Sequence, residues 1–314
     1  VMSLSGRNPS GTGKSPAPAW VKPVATVLAL LVLAALVVLL ARWLRTMEPV
    51  QEFILSYPGH STLPDNAPVG LPAWLGWQHF LNMFLIVLII RSGMQVRTTG
   101  RPRTFWTRNN KGLFKTKGAP KKISLELWFH LCLDALWVLN GLVFYVLLFI
   151  TGQWMRIVPT HWDIFPNALS AAIQYASFNW PLENGWTNYN ALQVIAYFLV
   201  VFVAAPLAVV TGLRMSNAWP KDSKLNKAYR IELARAIHFP TMLFFVMFIV
   251  VHVVLVFTTG ALRNLNHMYA SRDETGWLGF WIFAGSILVV AVAWVLARPI
   301  FLRPIAGLTG KLSR

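Results

Sequence analysis

Charge is scarce in this chain: only 12% of its 314 residues are Asp, Glu, Lys or Arg, roughly half the share of a soluble domain, and 11 acids stand against 28 bases. That shortage excludes a soluble globular fold, and a hydrophobic content of 56% excludes a disordered one. There is one cysteine, Cys132, inside an apolar run. It forms no intrachain disulfide, offers no cluster for an iron–sulfur centre and leaves no Cys-x-x-Cys-His run for covalent haem attachment. A phosphate loop is lacking as well. Gly13-Lys14-Ser15 has the end of one, but Asn8 stands where the first glycine is needed.

What is present is long apolar runs. Six are long enough to cross about 30 Å of hydrocarbon at about 1.5 Å per residue: 23–41, 74–92, 124–150, 191–213, 237–259 and 277–297. Open backbone is not tolerated in lipid, so all six are expected as helices of an all-α integral membrane protein. The run 23–41 lacks a small-x-small cleavage pattern and is read as an uncleaved anchor, preceded by a Gly-, Ser- and Pro-rich tail over 1–22 that is expected to be disordered.

The placement of the bases sets the orientation. Nine lie in 97–122 without an acid, among them Arg97, Lys115, Lys117 and Lys122, and six lie in 214–235 against Asp222 and Glu232. With Arg7, Lys14 and Lys22 before the first run and four bases in 298–314, 22 of 28 fall on one side, expected to be cytoplasmic together with both termini. Most acids, including Asp163, Glu183, Asp273 and Glu274, lie in the opposite connections. The basic loops thus read as a topology signal and a contact for anionic lipids, not for nucleic acid.

Four of the seven histidines, His79, His130, His238 and His252, fall inside apolar runs, where ionisable groups are costly and tend to be functional. His238 and His252 are 14 positions apart on one helix, which at about 100° and 1.5 Å per residue places them within roughly 40° of each other and about 21 Å apart along the axis. One face then offers an imidazole near each membrane surface, a spacing that suits two stacked haems. The charge-derived topology puts His130 at the depth of His238 and His79 at the depth of His252. The depths give an inner pair, His130 with His238, and an outer pair, His79 with His252.

The run Trp77-Gln78-His79-Phe80-x-Asn82, then Arg91-Ser92-Gly93, His130 followed by Thr151-Gly152, and His238 with His252 on a late helix resembles the bacterial and nickel-iron hydrogenase type of cytochrome b. That group includes the membrane subunits of formate dehydrogenases, hydrogenases and thiosulfate reductases. The resemblance covers roughly 74–260. It implies a four-helix core binding two b haems through these four histidines, passing electrons between an extracytoplasmic oxidoreductase and membrane quinone. The helices at 23–41 and 277–297 then flank the core, one at each end.

Further candidates follow from position. Asp134, one turn after His130, could exchange protons with quinone or simply bond a neighbouring helix. Arg97, Lys122 and Arg235 inside, and Arg156 and Arg263 outside, could meet haem propionates. Asn82 and Asn140 suit bonds between helices, and Gly93 and Gly212 suit close approach of a macrocycle. His60, His161 and His267 read as ordinary loop residues. The connections 42–73 and 153–190 are rich in Pro, Trp and Asn, and such surfaces suit docking of a partner with iron-sulfur, haem, molybdenum or nickel-iron centres. Menaquinone or ubiquinone would be the mobile substrate. No nucleophile paired with a base is visible, so this chain is expected to conduct electrons rather than act as an enzyme alone. Two alternatives remain at this stage: a transporter with a histidine proton or metal path, and a cofactor-free membrane anchor.

Overall fold

The computed structural model describes residues 18, 20–111, 119–180, 184–220 and 224–314. Most of the expected disordered tail, with Arg7 and Lys14, lies outside the described residues, as do Lys115, Lys117, Glu183 and Asp222. Six helices are long and apolar enough to cross a membrane: Val21–Leu44, Ala73–Thr98, Leu125–Ile150, Ala191–Met215, Ile231–Thr258 and Leu278–Leu296, here the first to sixth spans. The chain is an all-α multi-pass membrane protein, as its composition implies. The second span runs past the apolar stretch to Thr98, and the fifth starts six residues before it. Hydropathy marks only the hydrocarbon-buried part of a helix, whereas good helix formers with snorkelling heads such as Arg97 and Arg235 continue it into the interface.

The second and third spans pack side by side, as do the fourth and fifth, and close backbone approach lies within each pair rather than between them. Side chains join the pairs. Trp137 meets Phe245 edge-on at 6.2 Å, and the Arg97 guanidinium lies 3.9 Å from the centre of the Phe239 ring. In the fourth span, Leu199–Ala204 is wound as a π-helix just ahead of Pro206. Proline brings no N–H and crowds the preceding turn, and a wider turn absorbs that mismatch. The Val201 carbonyl in that turn accepts from the Tyr145 hydroxyl of the third span at 2.5 Å. His79, His130, His238 and His252 lie on the second, third and fifth spans, each partly exposed.

At one end of the bundle, the two connections form a cap. It contains the helices Glu48–Ser56 and Ile164–Ala176. The Gly59 N–H donates to Asn167 Oδ1 at 2.9 Å, and Asn190 caps the fourth span in a reciprocal bond with Gln193. Arg156 is 1% exposed and holds the cap from within, donating to the Gly70 and Gly185 carbonyls at 2.6 Å each. The first span is exposed along nearly its whole length and is tied to the cap at its end, where Arg42 and Arg45 donate to Ser177.

The basic end is also more ordered than a pair of loops. Strands β1 (Phe105–Arg108), β2 (Lys122–Ser124) and β3 (Gly310–Ser313) make an antiparallel sheet in the order β2-β1-β3, with Trp106 opposite both Ile123 and Leu312. Residues 298–314, expected as a plain tail, contain the helix Pro299–Thr309. Its buried Ala306 packs on Leu125 and Trp128 at the foot of the third span.

Candidate functional site

The two histidines nearest the cap come together between the second and fifth spans. His79 lies in the second turn of the second span and His252 in the last two turns of the fifth, with ring centroids 6.2 Å apart. A short π-helical segment, Asn266–Ala270, brings Tyr269 over them. Its ring meets His79 edge-on at 5.5 Å, and its hydroxyl lies 3.2 Å from His79 Nδ1 and 3.8 Å from Met83 Sδ. Burial pushes the Tyr269 phenol up to about 12, so it stays protonated. His252 is held by rings instead, stacked on Phe248 at 5.5 Å and meeting Tyr197 at 6.3 Å. Gly76 permits the approach, since a Cβ there would lie 2.5 Å from the Met268 carbonyl oxygen.

At the basic end each histidine meets a hydroxyl of the neighbouring span. Ser92 Oγ is 2.9 Å from His130 Nδ1, and Thr211 Oγ1 is 2.8 Å from His238 Nδ1. Both hydroxyls are fully buried and donate to their own helix: Ser92 to the Ile89 carbonyl at 3.0 Å, Thr211 to that of Leu207 at 2.7 Å. A hydroxyl that keeps its one proton on a helix carbonyl accepts from Nδ1–H, and an imidazole protonated there presents a bare Nε2. That is the tautomer a metal-ligating histidine needs. Asp134 Oδ2 lies 3.6 Å from His130 Nε2.

The two tiers of histidine and the spans that bear them all fall within residues 70–270, the stretch matched by the model of a family described as prokaryotic cytochrome b561. The chain belongs to the prokaryotic cytochrome b561 family. It is therefore a membrane cytochrome b, a haem b protein of electron transfer. The chain is also 28% identical over 201 residues to a protein of Azospira oryzae whose given name is protein-methionine-sulfoxide reductase subunit YedZ1, an alignment covering 59% of this chain and 88% of that one. No solved structure matches it.

The other candidates differ in their surroundings. Arg263 is engaged by Asp273, to whose Oδ1 it donates at 2.7 and 3.0 Å, and Arg97 rests on Phe239. Lys122 lies over Phe105 and donates to the Arg314 carbonyl, while Arg235 is exposed. Arg156 is buried without a carboxylate among the described residues, and its Nε has no partner. Asn82 accepts from the Trp137 indole of the third span at 3.1 Å, whereas Nδ2 of buried Asn140 has no partner among the described residues. His60 and His161 are exposed. His267 departs from the expectation of an ordinary loop residue: it is 5% exposed, its Nε2 is 2.8 Å from Asp273 Oδ1, and its ring lies 5.5 Å from that of Trp186. Burial holds its imidazole below the usual value despite the opposing pull of Asp273. Ser92, which entered only as part of the run Arg91-Ser92-Gly93, and Thr211 and Tyr269 are contacts that the sequence did not assign. For the two hydroxyls the trace in the sequence is a neighbouring glycine, Ser92-Gly93 and Thr211-Gly212, at the depth of the basic-side histidines; Tyr269 has none.

Proposed function

We propose that this cytochrome holds two b haems, an outer one between His79 and His252 and an inner one between His130 and His238, and links an extracytoplasmic oxidoreductase to the membrane quinone pool. The carrying observation is the 6.2 Å between the His79 and His252 rings. A metal–imidazole bond of about 2 Å on each side of one iron leaves ring centroids roughly 6 Å apart. The buried hydroxyls set against Nδ1 of His130 and His238 support the same reading. Haem b supplies a one-electron iron couple, and the chain supplies the axial nitrogens, an apolar wall and the depth of each site.

The core is 74–260 with the insertion 153–190, flanked by the anchor 23–41 and the helix 277–297. The tails 1–22 and 298–314 and the basic connections face the cytoplasm, where they also meet anionic lipid. The segment 42–73 and the insertion face outward and receive the partner, whose redox class is suggested by the reductase subunit of Azospira oryzae. Asp134, a third exposed beside His130, is the proton-exchanging group for quinone near the inner haem. Arg97 serves the inner propionates. Outside, Arg263 would have to share its guanidinium with Asp273, and Arg156 brings the uncommitted Nε.

The test is a reduced-minus-oxidised spectrum with pyridine haemochrome quantification on the purified chain. Two b haems per chain are expected, and one in His252→Ala. Both haems retained in that variant would refute the ligand pairs, and no haem in the folded chain would refute the two-haem reading.

A further inference from the structure

The hydroxyl–glycine pairs are a repeated device. Ser92-Gly93 on the second span faces His130 of the third, and Thr211-Gly212 on the fourth faces His238 of the fifth. In each, the hydroxyl meets Nδ1 while the next residue leaves room for the ring: a Cβ at Gly93 would lie 3.1 Å from His130 Cε1, and one at Gly212 would lie 3.6 Å from His238 Cε1. The same construction occurs once in each helix pair. The cap-side histidines lack it. His79 faces a neutral phenol at the longer distance of 3.2 Å, and no hydrogen bond to the His252 imidazole is found among the described residues.

An imidazole that donates through Nδ1–H becomes a more basic ligand and favours the oxidised iron. A hydroxyl that is itself donating to a carbonyl is polarised into a better acceptor. Two such bonds act on the basic-side tier, and at most one weak one acts on the cap-side tier.

We propose that Ser92 and Thr211 are paired positioning residues that fix His130 and His238 as Nε2 ligands and make the inner haem the weaker electron acceptor of the two. The inference rests on the two-haem reading above. It gives that reading a direction. Quinol releasing two electrons and two protons at the inner side would feed the electrons outward, one at a time, to an electron-accepting centre of the partner. The partner is then a reductase, oxidised before it docks.

The experiment is a potentiometric titration of the purified chain, read at the two haem bands, with haem per chain measured on every variant. The native chain should resolve two midpoints, and the band lost in His252→Ala identifies the outer one as the higher. Ser92→Ala and Thr211→Val should each shift the inner haem's reduced-to-oxidised ratio about threefold towards reduced. The double variant should shift it about tenfold, or roughly 59 mV for one electron, leaving the outer midpoint in place. Thr211→Ser, which restores the hydroxyl, should return the native inner midpoint. Loss of one haem in Thr211→Val with recovery in Thr211→Ser supports the proposal, and loss in both overturns it. Unchanged midpoints, equal movement of both haems, or an inner midpoint above the outer also overturn it. A native haem count other than two refutes the underlying reading instead and is seen before any titration.

Discussion

Asn266 holds the segment that carries Tyr269 over the cap-side histidines, although it touches neither His79 nor His252. It is fully buried, its Oδ1 accepts from the Gly279 N–H at 2.6 Å, and its Nδ2 donates to the Glu274 carbonyl at 3.0 Å. These two bonds fasten the π-helical segment bearing His267 and Tyr269 to the start of the sixth span. Asn266→Leu keeps the volume and removes both. Gly279 is buried, so its N–H is left without water and costs about 1–3 kcal/mol, whereas the carbonyl of exposed Glu274 recovers water and the loss there is about 1 kcal/mol. The sum, about 2–4 kcal/mol, corresponds to roughly 30- to 700-fold faster opening of the segment. Hydrogen exchange read by mass spectrometry on peptides covering 261–280 measures this directly. Peptides from the basic-end sheet, on the far side of the bundle, should be unchanged. Exchange within threefold of the native rate over 261–280 would refute the claim that Asn266 holds the segment.

Two further outcomes follow from the cap. His267 has a folded pKa below the usual value because it is buried, so the unfolded chain binds the proton first and stability falls as pH drops below about 6.5. Asp273 is also held low, chiefly by Arg263 and then by His267, and its contribution is lost at still lower pH as its folded value is crossed. Both slopes have the same sign, so cap unfolding followed by Trp fluorescence should show two acid phases, and Asp273→Asn should abolish the lower one. Arg156→Met leaves the Gly70 and Gly185 carbonyls without their charged donor at about 1.5–3 kcal/mol each, and limited proteolysis should cut within 57–72 or 177–190 at least tenfold faster. A native cleavage rate would show that Arg156 is not the cap's internal tie.

The membrane spans were legible in the sequence because apolar length is a local property, and the depth of each histidine followed from charge counts alone. Helical periodicity put His238 and His252 on one face, and the structure sets His252 against His79. What stayed hidden depends on partners far along the chain. Nothing near Ser92 announces His130, and nothing near Tyr269 announces His79, which lies 190 residues earlier. His267 read as a loop residue because its burial comes from Trp186 and Asp273 folding over it. The strands at the basic end are three or four residues long and have no periodicity to detect. The π-helix ahead of Pro206 is a similar case: the proline is visible, but how its turn relaxes is decided by Tyr145 on another span.

The sheet at the basic end also has a consequence for biosynthesis. Arg108 pairs with Gly310, so strand β1 is made 202 residues before the strand that completes its second edge. At roughly 5–20 residues per second, the ribosome needs about 10–40 s to reach it. Through that interval four more spans must enter the membrane, while the edge of β1 stays open to any passing extended chain. The positive charge crowded onto this connection would then do a second job besides the orienting role proposed for it. It keeps like copies of an unfinished hairpin apart until β3 arrives.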